Sequence, residues 1–159
     1  MSISSPRDPS RAGSFPPIDA ALLARWRKFG AAGAVSYPHL LGFVVEDVRH
    51  GYCRMRLPFR PELKQAGGLV HGGAIASLLD SVLVPAIGVT VPADVTYSTV
   101  DLHVQFLEAL IDEDALAEGW IVRQGKRTVF GESEARAAGT GRLLAKAVMT
   151  FAVRLPRSA

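Results

Sequence analysis

Cysteine is all but missing from the chain: Cys53 is the only one in 159 residues. A lone thiol excludes an internal disulfide framework and any cysteine-rich zinc site. It also fits a reducing compartment, so a cytoplasmic location is expected. Basic residues are missing from the middle. Of 18 Lys and Arg, ten lie at or before Lys64 and eight at or after Arg123, with none from Gln65 to Val122. A net charge of +3 split between two ends does not make the basic stripe with interleaved aromatics that a nucleic-acid groove needs. Long hydrophobic runs are scarce as well. The longest, Ile75 to Val91, contains Asp80 and Pro85 and barely reaches bilayer length, so it reads as a buried helix rather than a membrane span. There is no Gly-x-Ser-x-Gly elbow and no P-loop, which removes α/β-type serine hydrolases and P-loop NTPases.

What is present is a chain with 48% apolar and 21% charged residues, long enough for one domain with a sizeable core. Residues 1–17 are rich in Ser, Pro and Arg with no apolar run, which excludes a secretory signal and predicts a disordered arm. The domain is then expected over 18–156. Asp19 can cap a short helix whose Leu22, Leu23, Trp26 and Phe29 share a stripe, with Gly30 stopping it. Residues 33–40 read as loop. Leu41–Arg49 and Tyr52–Phe59 read as a hairpin turning at His50-Gly51.

Residues 67–89 carry most of the information. Ile75, Leu78, Leu79, Val82, Leu83 and Ala86 form one helical stripe, and the opposite side holds Gly73, Ala76, Val84 and Ile87 with Asp80 among them. A helix apolar all round is expected to be buried all round, wrapped by a sheet. Four strands follow: Tyr97–Leu107, Ala115–Arg123, Arg127–Ala137 and Leu143–Arg154. In the first, strict alternation places Val100, Leu102, Val104 and Phe106 on one face and Thr99, Asp101, His103 and Gln105 on the other. In the last, Leu143, Ala145, Ala147, Met149, Phe151 and Val153 are expected inward. The fold class is therefore α+β, a mostly antiparallel sheet curled around one long central helix.

Two features of that helix can carry chemistry. Asp80 has Ala76, Ser77, Leu83 and Val84 three and four residues away, so no cation is at hand. Burying an unpaired carboxylate is expensive unless its pKa moves or something hydrogen-bonds it. A functional acid and a structural Asp bonded across the sheet are both open at this point. His71-Gly72-Gly73 stands at the amino end, where unpaired N–H groups point outward and glycine lets a ligand approach. Such an end can polarise a carbonyl oxygen. An oxyanion-type donor with a carboxylate about two turns further in supplies the two parts that acyl transfer requires. Asp101, His103 and Gln105 share a strand face, but one carboxylate and one histidine do not complete a metal shell, so no metal is expected.

The run Gln65-(five residues)-His71-Gly72-Gly73-(six residues)-Asp80 resembles the hotdog-fold acyl-CoA thioesterases of the 4-hydroxybenzoyl-CoA thioesterase superfamily, with the phenylacetate-pathway (PaaI-type) group as the nearest branch. Leu41-Gly42-Phe43, Ser98-Thr99-Val100-Asp101-Leu102 and Arg123-Gln124-Gly125-Lys126 with Phe130 agree with it. The resemblance covers about residues 20–154. It implies dimers, often tetramers, of hotdog domains, with no cofactor.

By position, the resemblance implies that Asp80 is the catalytic carboxylate, as nucleophile or as general base, and that the Gly72 N–H polarises the thioester carbonyl. Gln65 stands where an amide, usually Asn, hydrogen-bonds the thioester or water. Thr99 matches the hydroxyl that orients the water, with Ser98 the neighbour that takes its place if the alignment slips by one. His71 bonds the loop or lines the site. Gly73, Ser98, Lys126 and Arg127 are expected to contact the substrate, the two cations through coenzyme phosphates. The implied site is composite, one subunit giving the carboxylate and the other the glycine N–H. Two rival readings are an enoyl-thioester dehydratase or hydratase, which wants a His paired with an acid, and a non-catalytic acyl-CoA-binding module.

Overall fold

The structure, a computed structural model, describes residues 10–29 and 35–154. In chain order its elements are α1 (Ala20–Trp26), α2 (Tyr37–Leu41), β1 (Val44–Arg49), β2 (Tyr52–Leu57), α3 (Gly72–Ser81), α4 (Leu83–Gly88), β3 (Thr96–Phe106), β4 (Ala115–Gln124), β5 (Thr128–Ala137) and β6 (Leu143–Arg154). The strands form one sheet in the order β1-β2-β4-β5-β6-β3, every neighbouring pair antiparallel. The sheet curves around the α3–α4 rod, as the helical stripe predicted. Ile75, Leu78, Leu79, Val82, Leu83 and Ala86 are all buried against it. Each of the larger ones contributes about 2 kcal/mol of transfer free energy.

Several expectations are corrected by local geometry. The long central helix is present from Gly72 to Gly88, with an irregularity at Val82, where α3 ends and α4 restarts at Leu83 with Pro85 in its first turn, a place where a missing N–H does no harm. It is also not buried all round: Gly73 is exposed and Ala76, Ser77, Asp80 and Val84 are only partly covered in the single chain. The stretch read as loop before the hairpin contains α2, bounded by Ser36 and by Gly42 in the left-handed region (φ 73°). That helix absorbs Leu41, so β1 begins at Val44, and β2 ends at Leu57, ahead of Pro58. In β6, Leu143 is partly exposed and Leu144 is buried, because a register shift at Ala135/Arg136 displaces the alternation by one.

The amino-terminal arm differs too. Residues 1–9 lie outside the described residues, whereas 10–17 lie on the outer sheet face. Pro17 bridges to Arg49, Phe15 stacks on Tyr52 with ring centroids 5.2 Å apart, and the Arg11 guanidinium sits 4.1 Å from the Trp120 ring centroid. This cover explains why Tyr52, on the same strand face as Arg54 and Arg56, is fully buried. Its hydroxyl donates to Glu118 Oε1 at 2.6 Å, and burial together with that carboxylate pushes the phenol pKa far up. Cys53 is fully buried, as its alternation with Met55 and Leu57 suggested, and burial holds its thiol well above the ordinary range.

The edge strand β3 decides where the site residues point. Its inner face is set by pairing with β6, whose Val153, Phe151, Met149, Ala147 and Ala145 point to the core. Strict alternation would put Thr99 on the outer face with Asp101, His103 and Gln105. A bulge between Thr99 and Asp101 breaks the count. Tyr97 and Thr99 therefore share the inner face with Leu102, Val104 and Phe106, while Ser98, Asp101, His103 and Gln105 face out. Val100 is the inserted residue and is 61% exposed.

Candidate active site

The inner face of β3 runs along one side of the α3–α4 rod, and the site residues lie on that seam. At its amino end, His71 is the N-cap of α3, with extended backbone (φ −62°, ψ 131°) and Nδ1 accepting from the Gly73 N–H at 2.8 Å. The Ala74 N–H donates to the His71 carbonyl at 2.9 Å. Of the first three helical N–H groups, only that of Gly72 has no acceptor among the described residues. A helix start normally leaves several donors open. Here capping closes all but one and leaves Gly72 as the free donor, while Gly73, expected to contact substrate, has its N–H engaged by His71.

Gly72 and Gln65 line the same cleft, about 330 Å³ in volume, together with Leu69, Ile75 and Phe106. A Cβ at Gly72 would stand 3.3 Å from the Phe106 ring, so glycine keeps this end open beside the ring. Gln65 turns back on its own loop: Oε1 accepts from the Gly67 N–H, and the Gln65 backbone bonds to Leu69 and Gly68. Its carboxamide NH₂ has no acceptor among the described residues.

Asp80 is partly buried. Thr99 Oγ1 donates to Asp80 Oδ1 at 2.7 Å, and no basic side chain pairs with Asp80 among the described residues. The structural alternative for this acid, a hydroxyl bond across to the sheet, is thus present, and its partner is the hydroxyl named from the sequence. One carboxylate oxygen is held, and the other has no hydrogen-bond partner among the described residues. Ser98, the neighbouring hydroxyl, lies on the outer face and is exposed.

Eight residues separate Gly72 from Asp80, about 12 Å at the helical rise of 1.5 Å per residue. One thioester carbonyl cannot reach both groups of the same chain. Lys126 and Arg127 are exposed on the β4–β5 turn. That turn is at the Ser98 end of the sheet, since Thr128 and Ser98 both pair with Ala152, so it lies far from the chain's own Gly72.

Sequence reasoning missed two groups on the seam. Ser77 Oγ donates to the Gly73 carbonyl at 2.7 Å and accepts from Tyr37 Oη at 2.8 Å. Tyr37 opens α2 and lies over the face between Gly73 and Asp80. The boundary signals were in the sequence, with Ser36 before the helix, Pro38 in its first turn and Gly42 after it.

On the outer face, His103 and Gln105 line a shallow polar groove of about 290 Å³ with Arg11, Glu132, Glu134 and Lys146. Lys146 and Arg136 flank Glu134. Its partial burial opposes ionisation, and these two cations outweigh that, so its pKa is lowered overall.

Residues 67–144 match the family model described as the thioesterase superfamily. A protein of Saccharolobus solfataricus that carries a provisional esterase name is 30% identical over 104 residues, covering 65% of this chain and 73% of that protein. One from Halobacterium salinarum, with the same kind of name, is 36% identical over 97 residues, or 58% and 64% of the two chains. Among solved structures, a conserved protein of Pseudomonas aeruginosa superposes with a TM-score of 0.71 at 27% identity, covering 76% of this chain and 95% of its own. A thioesterase of Haemophilus influenzae superposes with a TM-score of 0.74 at 16% identity over 88% and 94% of the chains, which speaks to the fold alone. The segment matched by the family model contains the Gly72 helix start, Asp80 and the bulged strand that brings Thr99 to it, and the chain accordingly belongs to the thioesterase superfamily as a hotdog-fold thioester hydrolase.

Proposed function

We propose that the protein hydrolyses acyl-CoA thioesters to the free acid and CoA, at a site shared by two copies of the chain. The observation that carries this reading is the pairing of an open Gly72 N–H with a Thr99-held Asp80 that lies too far away to act on the same carbonyl. Two rods packed side by side with opposite direction would bring the Asp80 of one copy opposite the Gly72 of its partner.

The surface of the single chain supports such packing. β3 has no neighbour on its outer edge among the described strands, and Val100, Leu102 and Phe106 on it are 61%, 37% and 56% exposed. An unpaired, apolar edge is a surface that chains cover. The partly covered Ala76 and Val84 of the rod continue it.

In this mechanism the carbonyl oxygen accepts from the Gly72 N–H, which stabilises the charge that develops there. Asp80 either attacks the carbonyl carbon, giving a mixed anhydride that water then hydrolyses to the free acid and the regenerated carboxylate, or takes a proton from the attacking water, its geometry fixed by the Thr99 hydroxyl. The C–S bond breaks, and CoA leaves as the thiolate, which is then protonated. Gln65 donates to the thioester or the water at the mouth, and His71 holds the loop through Gly73. Lys126 and Arg127, which have no ion pair among the described residues, are assigned to the coenzyme phosphates. PaaI-type membership, assembly as a dimer or tetramer and work in a reducing cytoplasm belong to the same reading. A dehydratase needs an acid–base histidine beside the carboxylate; the partner of Asp80 is a threonine.

The test is release of free thiol from a panel of acyl-CoA esters. Thiol production above the buffer rate is expected, with no hydration of enoyl-CoA. No thiol from any ester, or hydration with the thioester intact, would contradict the reading.

A further inference from the structure

Further along the same strand and rod than Asp80 and Thr99 is a second cleft, of about 350 Å³, lined by Leu22, Trp26, Gly88, Val91, Val95 and Tyr97 among others. Its position follows from two short steps. Tyr97 is two residues from Thr99 on the same inner face of β3, about 7 Å away at strand spacing. Its hydroxyl donates at 2.9 Å to the carbonyl of Val84, which is one helical turn beyond Asp80. Burial pushes the Tyr97 phenol up to about 12, against a small opposing effect of Arg25, so it stays a neutral donor committed to the helix.

The far wall comes from α1, an element outside the family-matched segment 67–144. Asp19 caps α1 through the Leu22 N–H at 2.8 Å, and its Trp26 lies against Gly88. A Cβ on Gly88 would run into the Trp26 ring and stand 2.6 Å from the Tyr97 hydroxyl, so this glycine is what lets the two rings meet and end the cleft. The buried indole N–H of Trp26 has no acceptor among the described residues.

We infer that this cleft takes the apolar end of the acyl group, and that Trp26 limits its length. The inference rests on the proposed acyl-CoA hydrolysis and names its substrate class: uncharged acyl groups of medium length. The walls are aliphatic and aromatic, and the one charged side chain on the lining, Arg25, is exposed at the rim. The volume is at the small end of ligand pockets, which run from about 300 to 1,000 Å³. That suits an eight-carbon or arylacetyl group better than a long fatty chain. An acyl group whose carbonyl sits at Asp80 and whose tail follows β3 toward Tyr97 reaches this cleft.

Two variants and two readouts test the assignment. kcat/KM is measured for acetyl-, butyryl-, octanoyl- and palmitoyl-CoA in the native protein, in Val91→Trp, which fills the cleft, and in Trp26→Ala, which opens its end. The octanoyl-to-acetyl ratio is expected to fall at least about tenfold in Val91→Trp, the scale of discrimination an apolar pocket supplies. In Trp26→Ala the optimum moves to longer chains. Ratios that stay the same in both variants while hydrolysis continues would overturn the pocket and leave the hydrolase reading standing. Calorimetric binding of a non-hydrolysable octanoyl-CoA thioether gives a readout without turnover. About tenfold weaker binding to Val91→Trp, relative to CoA itself, supports the pocket even if no ester is hydrolysed. Undiminished relative binding refutes it. Thermal unfolding of both variants confirms that a folded protein is being compared.

Discussion

Replacing Asp80 by Asn is expected to lower kcat by about three orders of magnitude, the middle of the range for a lost acid–base group, with the fold retained. The isosteric amide can still accept the Thr99 hydroxyl through its Oδ1 and fits the same partly buried position, so the substitution removes charge and basicity with little change in packing. Binding of a thioether analogue should change far less than turnover, because the carboxylate works on the transition state. Thr99→Val removes the hydroxyl bonded to Asp80 Oδ1 and is expected to reduce kcat by about tenfold, leaving a carboxylate that is correctly charged and poorly oriented. The measurement is steady-state hydrolysis of a good acyl-CoA substrate by each variant. Turnover by Asp80→Asn close to the native rate would remove the acid from the mechanism.

The second large effect is expected at a backbone atom. Gly72 is the first residue of α3, where proline is tolerated because its missing N–H has no helical partner. The preceding His71 already has the extended conformation that a residue before proline prefers. Gly72→Pro therefore deletes the single open N–H with little damage to the helix. A loss of 10²- to 10³-fold in kcat is expected, about the value of one oxyanion donor. Gly72→Ala separates chemistry from bulk: it keeps the N–H and adds only a Cβ 3.3 Å from Phe106, an exposed ring free to shift by a few tenths of an ångström. Its rate should fall much less. Equal losses in the two variants would mean that space at the cleft mouth matters and the N–H does not.

The parts of this account that were legible in the sequence are those set by short-range periodicity. The helical stripe from Ile75 to Ala86, the hairpin at His50-Gly51 and the pairs of strands after residue 114 follow from alternation and turn residues, and the structure has all of them. Asp80 stood out as a carboxylate with no local cation, and none pairs with it among the described residues. The illegible parts depend on a shift of one residue or on tertiary cover. A bulge has no reliable local signature, so strict alternation puts Thr99 on the outer face of β3, whereas its hydroxyl faces in and bonds to Asp80. Tyr52 looked like an outward residue, and it is buried because the described part of the amino-terminal arm lies over it. α2 lies within the stretch that reads as loop, and its Pro38 stands in the first helical turn, where proline is tolerated. The open side of the rod, with Ser77 and Val84, could not be told from a buried side, since it carries the same small and apolar residues as a core.

That second copy is the central claim, and mixing two inactive chains tests it most directly. Differently tagged Asp80→Asn and Gly72→Pro chains are co-expressed, and the heterodimers isolated by both tags. In a shared site, one of the two sites of each heterodimer is built from a native Asp80 and a native Gly72, so about half of the native activity should return. Heterodimers as inactive as either parent would show that each chain works alone, and the site proposed here would be wrong.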